Sequence, residues 1–287
     1  MSGKIMWMAA LGIACAACGT SAAGGATSDV PPPEKQASAH ERSMASTDRQ
    51  DPGSEPATAG RPTVVVELFS SEGCSSCPPA DILLREIATS RREDVDIIAL
   101  ELHVDYWNDL GWADPFSSEA YTSRQRSYAE ALGDSRIYTP QMVVDGRTGF
   151  VGSQRGAASA AIARAAVAPK AKVTITRSAS PEKVSVHVTD MPEPRPRSEV
   201  VLVLVEEGLT SQVTRGENAG SLLAHGPIVR TMKGIGTIAA GGRGEAFEGS
   251  ETLTLPSTWN RERLRAVALV QAVESRVILG SGWVSMK

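Results

Sequence analysis

The sequence predicts an α/β fold, in which helices flank a mixed β-sheet, followed by an all-β region of sandwich type. Between residues 61 and 169, apolar strand patterns alternate with apolar helical stripes. A Cys-X-X-Cys pair, Cys74 and Cys77, lies where the first predicted strand meets the first predicted helix. Beyond Pro169, short strand patterns alternate with turn residues. These observations predict an N-terminal domain at residues 61–169 and a β domain at residues 170–287.

Two predicted elements surround the cysteine pair. Thr63–Phe69 is a run of β-branched and apolar residues, which is typical of a buried strand. The helix that follows the pair is predicted to end at about Ser90, and one of its faces is apolar: Ala80, Leu83, Leu84, Ile87 and Ala88. Because proline is tolerated only in the first helical turn, this helix is expected to begin near Pro78.

A second strand and a second helix come next in the N-terminal domain. The segment 94–104 is rich in apolar and β-branched residues and predicts a strand. Ser117 or Ser118 is a suitable cap for a helix that reaches about Leu132, and Gly133 is expected to end it.

The N-terminal domain is predicted to finish with a hairpin and a helix. Two short apolar runs, 141–144 and 148–151, are separated by Asp145-Gly146, which is a strong hairpin signal. A last helix is predicted to begin at Ser153, with Ala158, Ala161, Ile162 and Ala165 on one face. The order of elements, with the cysteine pair after the first strand, predicts a thioredoxin-like fold.

The C-terminal region carries only strand patterns. Apolar residues alternate or cluster in short runs at 173–175, 184–188, 200–205, 253–255, 266–270 and 277–279. Turn segments such as Asp190-Met191-Pro192 and Gly241-Gly242 separate these runs. We therefore expect a β-sandwich domain at residues 170–287.

The first 60 residues predict export. Lys4 precedes an apolar stretch, 5–17, that is too short to span a bilayer as a mature helix, so residues 1–18 are predicted to be a signal peptide. Small residues surround Cys18, as in a bacterial lipoprotein signal, and Cys18 is the predicted lipidation site. Cys15 stands where that pattern usually has leucine, which leaves ordinary signal cleavage open. Residues 19–60 are poor in large apolar side chains and predict a disordered linker.

Composition and the number of cysteines reduce the classes of function that we expect for this chain. The net charge of −4 shows no excess of basic residues of the kind that binds nucleic acid. A Gly-rich strand-to-helix turn of the Rossmann type is missing from the C-terminal region, so no organic cofactor is expected. Once Cys15 and Cys18 are set aside, the chain keeps only Cys74 and Cys77. A single close pair in an oxidising compartment is typical of a working redox site.

Three interpretations of the cysteine pair stay open. In the first, Cys74 is an exposed attacking thiolate at the start of the helix and Cys77 is the resolving thiol. In the second, the pair is an inert structural disulfide. In the third, Cys74, Cys77 and His103 bind copper, as in a metallochaperone. A zinc site built from two such pairs is excluded, because there is no second Cys-X-X-Cys motif.

Several ordered motifs resemble one family of exported bacterial proteins. The segment 67–81, with the sequence ELFSSEGCSSCPPAD, is similar to the signature of the family known as domain of unknown function 1223. The resemblance continues through HVDYW at 103–107, DPF at 114–116, YTPQMVV at 138–144 and TRGENAG at 214–220. It implies a thioredoxin-like fold and a redox site, and it implies no substrate.

The thioredoxin-like fold and the positions of nearby residues suggest further site residues. Pro140 follows Thr139 just before a strand, where a thioredoxin-like fold has a cis proline beside the cysteine pair. His103, at the end of the second strand, is either a proton shuttle for Cys77 or a histidine hydrogen-bonded in the core. Asp105, Trp107 and Thr139 are candidates for a substrate groove.

Two charged or polar features are left with alternatives. Glu67, inside an apolar strand, is either a buried carboxylate or an outward-pointing one. The segment 215–218, with the sequence RGEN, is either a plain hairpin turn or a contact to the N-terminal domain or a partner.

The sequence therefore predicts a cell-envelope thiol–disulfide oxidoreductase that acts on a protein thiol or disulfide partner. We expect the protein to be exported and lipid-anchored through Cys18. Copper binding is the alternative function.

Overall fold

A computed structural model describes residues 61–179, 182–244 and 246–287. The predicted signal peptide at 1–18, with Cys18, and the predicted linker at 19–60 lie outside the described residues. Within the described residues, no helix is long and apolar enough to cross a bilayer.

The elements of the N-terminal half have the predicted order. They are β1 Thr63–Ser70, α1 Pro78–Thr89, β2 Asp96–His103, α2 Glu119–Leu132, β3 Gln141–Val144, β4 Thr148–Val151 and α3 Arg155–Ala166. Helix α1 begins at Pro78, as predicted, with Cys77 at its N-cap. The hydroxyl of Ser118 accepts a hydrogen bond from Ala120 N and caps α2, and Gly133 ends that helix in a left-handed conformation.

The C-terminal half is built from strands, as predicted. They are β5 Lys172–Ala179, β6 Glu182–Thr189, β7 Ser198–Glu206, β8 Thr210–Gln212, β9 Leu222–Ala224, β10 Ile228–Ile238, β11 Phe247–Thr252, β12 Leu264–Ala272 and β13 Ile278–Ser285. A 3-10 turn at Arg261–Arg263 is the one helical element in the described residues after α3.

One mixed sheet of eight strands joins both halves of the chain, in the order β13-β12-β7-β10-β2-β1-β3-β4. Strand β1 pairs in parallel with β2 and antiparallel with β3. The junction between the halves is the parallel pairing of β10 with β2, where Ile228 faces Glu101. The two predicted domains therefore share a sheet, and their boundary at residues 169/170 stays a prediction.

The two faces of this sheet are covered by different elements. Because side chains alternate along a strand, Val64, Val66 and Leu68 of β1 face α1 and α3, whereas Val65 and Phe69 lie in the core that includes α2. In the C-terminal half, the three-stranded sheet β11-β6-β5 packs against inward-facing residues of β7 and β12. The fold is thus a mixed α/β architecture with one large sheet and few helices.

A buried charged network links α2 to both halves of the sheet. Glu67, in the middle of β1, is fully buried, and Arg124 Nε donates to its carboxylate at 2.6 Å. Arg124 Nη1 also donates to Gln271 Oε1 on β12 at 2.9 Å, and the Tyr128 hydroxyl donates to Glu67. Of the two sequence interpretations of Glu67, the buried carboxylate is confirmed.

We expect Arg124→Leu to lower the free energy of unfolding by about 3–5 kcal/mol, because it leaves the Glu67 carboxylate buried without its cation. Denaturant unfolding measures this change. The control Arg126→Leu, at an exposed position of the same helix, is expected to change the free energy by no more than about 0.5 kcal/mol. Equal losses in the two variants would contradict the role given to the Glu67–Arg124 pair.

Candidate functional site

The cysteine pair lies at the junction of β1 and α1. Cys74 and Cys77 form a disulfide. Two turns shape the segment that carries them: Cys74 N donates to Ser71 O at 3.1 Å, and Cys77 N donates to Cys74 O at 3.2 Å. The carbonyl of Cys77 then accepts hydrogen bonds from Ala80 N and Asp81 N, which starts α1. The disulfide therefore sits at the amino end of a helix.

The expectation that Cys74 is exposed is wrong. Both cysteines have 0% relative exposure, whereas Ser75 and Ser76 between them are exposed. The segment thus reaches the surface through its two serines, and its sulfur atoms face inward.

The exposure expected from the N-terminal half alone leaves out a loop from the C-terminal half, residues 213–221, which binds this segment and which we call the cover loop. The side-chain amide of Asn218 donates to Glu72 O at 2.8 Å and to Cys74 O at 3.0 Å. The Glu217 carboxylate accepts a hydrogen bond from Ser75 N at 3.0 Å. The cover loop therefore binds the backbone of the cysteine segment through directed polar contacts.

Backbone hydrogen bonds between Val213 and residues 220–221 close the cover loop, and Gly216 packs against the loop that contains Trp112. Strands β8 and β9 flank it and pair antiparallel. Of the two interpretations of residues 215–218, the contact to the N-terminal half is confirmed, because Glu217 and Asn218 bind the cysteine segment. Gly216 has a φ of +74°, and a Cβ atom there would lie 3.1 Å from Trp112 Cβ. Gly216 is therefore suited to its position by both backbone conformation and space.

The predicted groove residues lie near the start of α1. The Trp107 indole N–H donates to Thr139 Oγ1 at 2.8 Å. The Thr139–Pro140 bond is cis, as expected, and a Cβ atom at Gly152 would lie 3.2 Å from Pro140 Cβ and 3.1 Å from Ala80 Cβ of α1. The structure therefore brings Trp107 and Thr139 together and places Pro140 close to the first turn of α1.

Asp105, the third predicted groove residue, is bound to α2. Its carboxylate accepts a hydrogen bond from the Thr122 hydroxyl at 2.5 Å, and its N–H donates to that hydroxyl oxygen at 3.2 Å. Asp105 thus fixes the loop after β2 to α2, and its groove role stays a prediction.

His103 is hydrogen-bonded in the core, as one of its two sequence interpretations holds. Its Nδ1 lies 2.6 Å from Asp114 Oδ2, and its Nε2 lies 2.9 Å from Glu101 Oε1. Both ring nitrogens therefore contact carboxylates, and the proton-shuttle role for Cys77 stays a prediction.

A second histidine completes a cluster that sequence reasoning missed. His225 Nδ1 lies 3.3 Å from Glu101 Oε1, and its Nε2 lies 3.1 Å from Glu72 Oε1. The His103 and His225 rings are 5.1 Å apart between centroids. We call Glu72, Glu101, His103, Asp114 and His225 the histidine–carboxylate cluster. His225 is far from the others in sequence, and it lies here because β10, which follows it, pairs with β2.

The cluster and its surroundings shift each other's proton affinities. Burial opposes the charged form of His103, but ion pairing with Asp114 and Glu101 outweighs it and raises the pKa of His103 well above its usual value. Burial likewise opposes charge on His225, yet hydrogen bonds to Glu101 and Glu72 raise its pKa to about 9. Burial, together with the charge of Glu101, raises the pKa of Asp81 in α1 to about 8.

These features define an α/β protein with a covered disulfide at a helix start, beside a buried histidine–carboxylate cluster. The family model described as "Protein of unknown function (DUF1223)" matches residues 65–271. The chain belongs to this family, as its motifs predict.

Solved structures give two further likenesses. The chain is similar to protein AGR_C_4864 from Agrobacterium tumefaciens, with a TM-score of 0.59 and 25% identity over 80% of this chain and 97% of that chain. It is also similar to HBP35 of Porphyromonas gingivalis, with a TM-score of 0.53 and 12% identity over 81% of this chain and 76% of that chain. The second likeness concerns the fold alone. A comparison with curated proteins gives no match.

We expect Asn218→Ala to speed reduction of the disulfide by dithiothreitol about tenfold. The variant removes two buried hydrogen bonds that hold the cover loop, and a loss of about 1.4 kcal/mol corresponds to a factor of ten in loop opening. Timed alkylation of free thiols measures the rate. Asn260→Ala, at the N-cap of the 3-10 turn, is the matched control. An unchanged rate in Asn218→Ala would show that the cover loop does not limit access.

Proposed function

We propose that the protein is a thiol–disulfide oxidoreductase of the bacterial cell envelope. The observation that carries the proposal is the Cys74–Cys77 disulfide at the N-terminus of α1. The helix N-terminus favours a thiolate, because its unpaired N–H groups and its dipole stabilise negative charge. Two cysteines in this arrangement exchange readily between the dithiol and disulfide forms.

The local topology supports a thioredoxin-like description of the N-terminal half. The cysteine pair follows β1, the parallel neighbour β2 comes after α1, and Pro140 immediately precedes the antiparallel neighbour β3. In the C-terminal half, the packing of β11-β6-β5 against β7 and β12 supports a sandwich-like description.

The proposed reaction is a two-step exchange. The Cys74 thiolate attacks a disulfide of the partner protein, forms a mixed disulfide and releases one partner thiolate. Cys77 then attacks Cys74 Sγ, which forms the Cys74–Cys77 disulfide and releases the second partner thiolate. The partner gains two electrons, and the cysteine pair loses them. In the reverse direction the disulfide oxidises a partner dithiol.

Access to the sulfur atoms requires the cover loop to move. Its directed contacts to Glu72, Cys74 and Ser75 involve few atoms, so opening it leaves the apolar cores intact. Trp107 and Thr139, joined by a hydrogen bond beside the cysteine segment, are suited to contact an extended partner segment once the loop is open.

The compartment and the anchor are part of this proposal. A disulfide is stable in an oxidising compartment, which agrees with the export signal predicted at residues 1–18. Lipidation of Cys18 would tether the described part of the chain to a membrane through the predicted linker. The partner is then an envelope protein with an accessible thiol or disulfide.

Copper binding by Cys74, Cys77 and His103 has less support. The two sulfur atoms are bonded to each other, so neither is a thiolate ligand in this oxidised form. Copper binding remains a prediction for the reduced protein.

We expect Cys77→Ser to accumulate a mixed disulfide with envelope proteins, because the resolving thiol is missing while Cys74 still attacks. Non-reducing electrophoresis of envelope extracts, with and without reductant, detects the adduct. Combining Cys77→Ser with Asn218→Ala is expected to increase the yield.

The matched control is the double variant Cys74→Ser/Cys77→Ser, in which no adduct is expected. Failure of Cys77→Ser to form any adduct, even with Asn218→Ala, would contradict the oxidoreductase proposal and favour the inert disulfide.

A further inference from the structure

The histidine–carboxylate cluster has the donor set of a metal site. One ligand atom from each of Glu101, His103 and His225 lies within 4.8 Å of the other two. All three side chains are buried, and they come from two distant parts of the chain. Nitrogen donors from two histidines and one carboxylate oxygen form a donor set that proteins use for zinc.

We propose that Glu101, His103 and His225 bind a divalent first-row transition metal ion, with zinc as the preferred ion. The ligand atoms are His103 Nε2, His225 Nδ1 and Glu101 Oε1. This site is separate from the cysteine pair and does not depend on the proposed redox function.

The strongest support for a metal site is that the ring nitrogen of each histidine that faces away from Glu101 contacts a carboxylate. The outer nitrogen of His103, Nδ1, contacts Asp114 Oδ2 at 2.6 Å. The outer nitrogen of His225, Nε2, contacts Glu72 Oε1 at 3.1 Å. Metal-binding histidines characteristically donate their other N–H group to a carboxylate, which fixes the tautomer and the ring orientation. Both histidines have this partner, so both rings are held with their inner nitrogens, His103 Nε2 and His225 Nδ1, toward Glu101.

The Glu101 carboxylate is also held in place. Its Oε2 accepts a hydrogen bond from Gly226 N, which leaves Oε1 directed toward both imidazoles. A Cβ atom at Gly226 would lie 2.7 Å from Glu101 Oε2, so the close approach needs glycine. Glu101 is therefore arranged as a ligand through one oxygen.

Two of the three distances between ligand atoms are close to those of a zinc site. Ligands about 2.0–2.1 Å from a tetrahedral zinc ion are separated by about 3.3 Å. Glu101 Oε1 lies 3.3 Å from His225 Nδ1 and 2.9 Å from His103 Nε2. The three ligand atoms lie within 4.8 Å of one another.

Electrostatics give the same preference for a cation. Three buried carboxyl groups, those of Glu72, Glu101 and Asp114, surround the two imidazoles. A cation bound between the inner nitrogens and Glu101 Oε1 would therefore lie among acidic side chains.

Bound metal would join the two halves of the chain. Glu101 and His103 belong to β2, and His225 precedes β10. Phe116 packs edge-on against both imidazoles and lines a surface groove of about 360 Å³, so the cluster lies behind this ring. We therefore expect a structural site that stabilises the junction of the halves.

The test measures metal in the wild-type protein first. The full chain is unfolded in denaturant with EDTA, refolded with or without zinc sulfate, desalted and analysed by elemental mass spectrometry. We expect about one zinc ion per chain after refolding with zinc, and a higher midpoint of thermal unfolding than for the zinc-free sample. Wild-type protein that refolds without retaining zinc would overturn the proposal.

Cobalt identifies the donor atoms without any substitution. Refolding with cobalt chloride is expected to give the visible bands of four-coordinate cobalt, without the near-ultraviolet band of thiolate-to-cobalt charge transfer. A thiolate band would assign the metal to the cysteines and overturn the proposal.

Variants then assign the ligands. We expect His225→Ala and Glu101→Gln to lower zinc occupancy at least tenfold, while His187→Ala, the matched histidine control in β6, and Cys74→Ser/Cys77→Ser retain it. Retention of zinc in His225→Ala, or its loss in the cysteine double variant, would overturn the assignment. Circular dichroism of each variant establishes that it is folded, and the wild-type measurements decide the question if one is not.

Discussion

The pairing of β10 with β2 is the constraint on which the site depends. Glu101 N donates to Pro227 O at 2.8 Å, and Ile228, the first residue of β10, pairs with Glu101. This short parallel contact fixes where the chain before β10 must run. That chain includes His225, which enters the cluster, and the cover loop, which reaches the cysteine segment.

Two buried carboxylates contribute polar contacts to the junction between the two halves of the chain, in addition to its apolar packing. Glu67 in β1 and Glu101 in β2 are both fully buried, and an unpaired charge at either position would be costly. Each has a partner outside its own strand: Arg124 for Glu67, and His225 for Glu101, which also contacts His103 within β2. The apolar cores stabilise the sheet, whereas these pairs require specific elements to lie beside it.

The sequence predicts the local elements well and the contacts between distant segments poorly. The apolar period of α1, the cap at Ser118 and the Asp145-Gly146 hairpin are local signals, and all three are confirmed. The family assignment follows from motifs that span much of the chain. The surroundings of Cys74 are different, because they include Asn218, which belongs to a loop more than a hundred residues away.

The same limit explains why the cluster was missed. His103 is a candidate from sequence because it ends a strand near the cysteines, but its partners Glu101 and Asp114 look like ordinary charged residues. The charged interior position of Glu101 between apolar neighbours was a usable signal, since a carboxylate there needs a partner. Nothing local identifies His225 as that partner.

Glu72 connects the cysteine segment to the cluster. Its carbonyl accepts the Asn218 amide that holds the cover loop, and its carboxylate binds His225 and the Trp112 indole. Cys74 is two residues further along the same tight turn. Opening the cover loop removes one of the contacts that fix the Glu72 backbone, while His225 still holds its side chain. The cluster therefore holds the Glu72 side chain independently of the cover loop, so the loop opening that we propose need not unfold the start of α1.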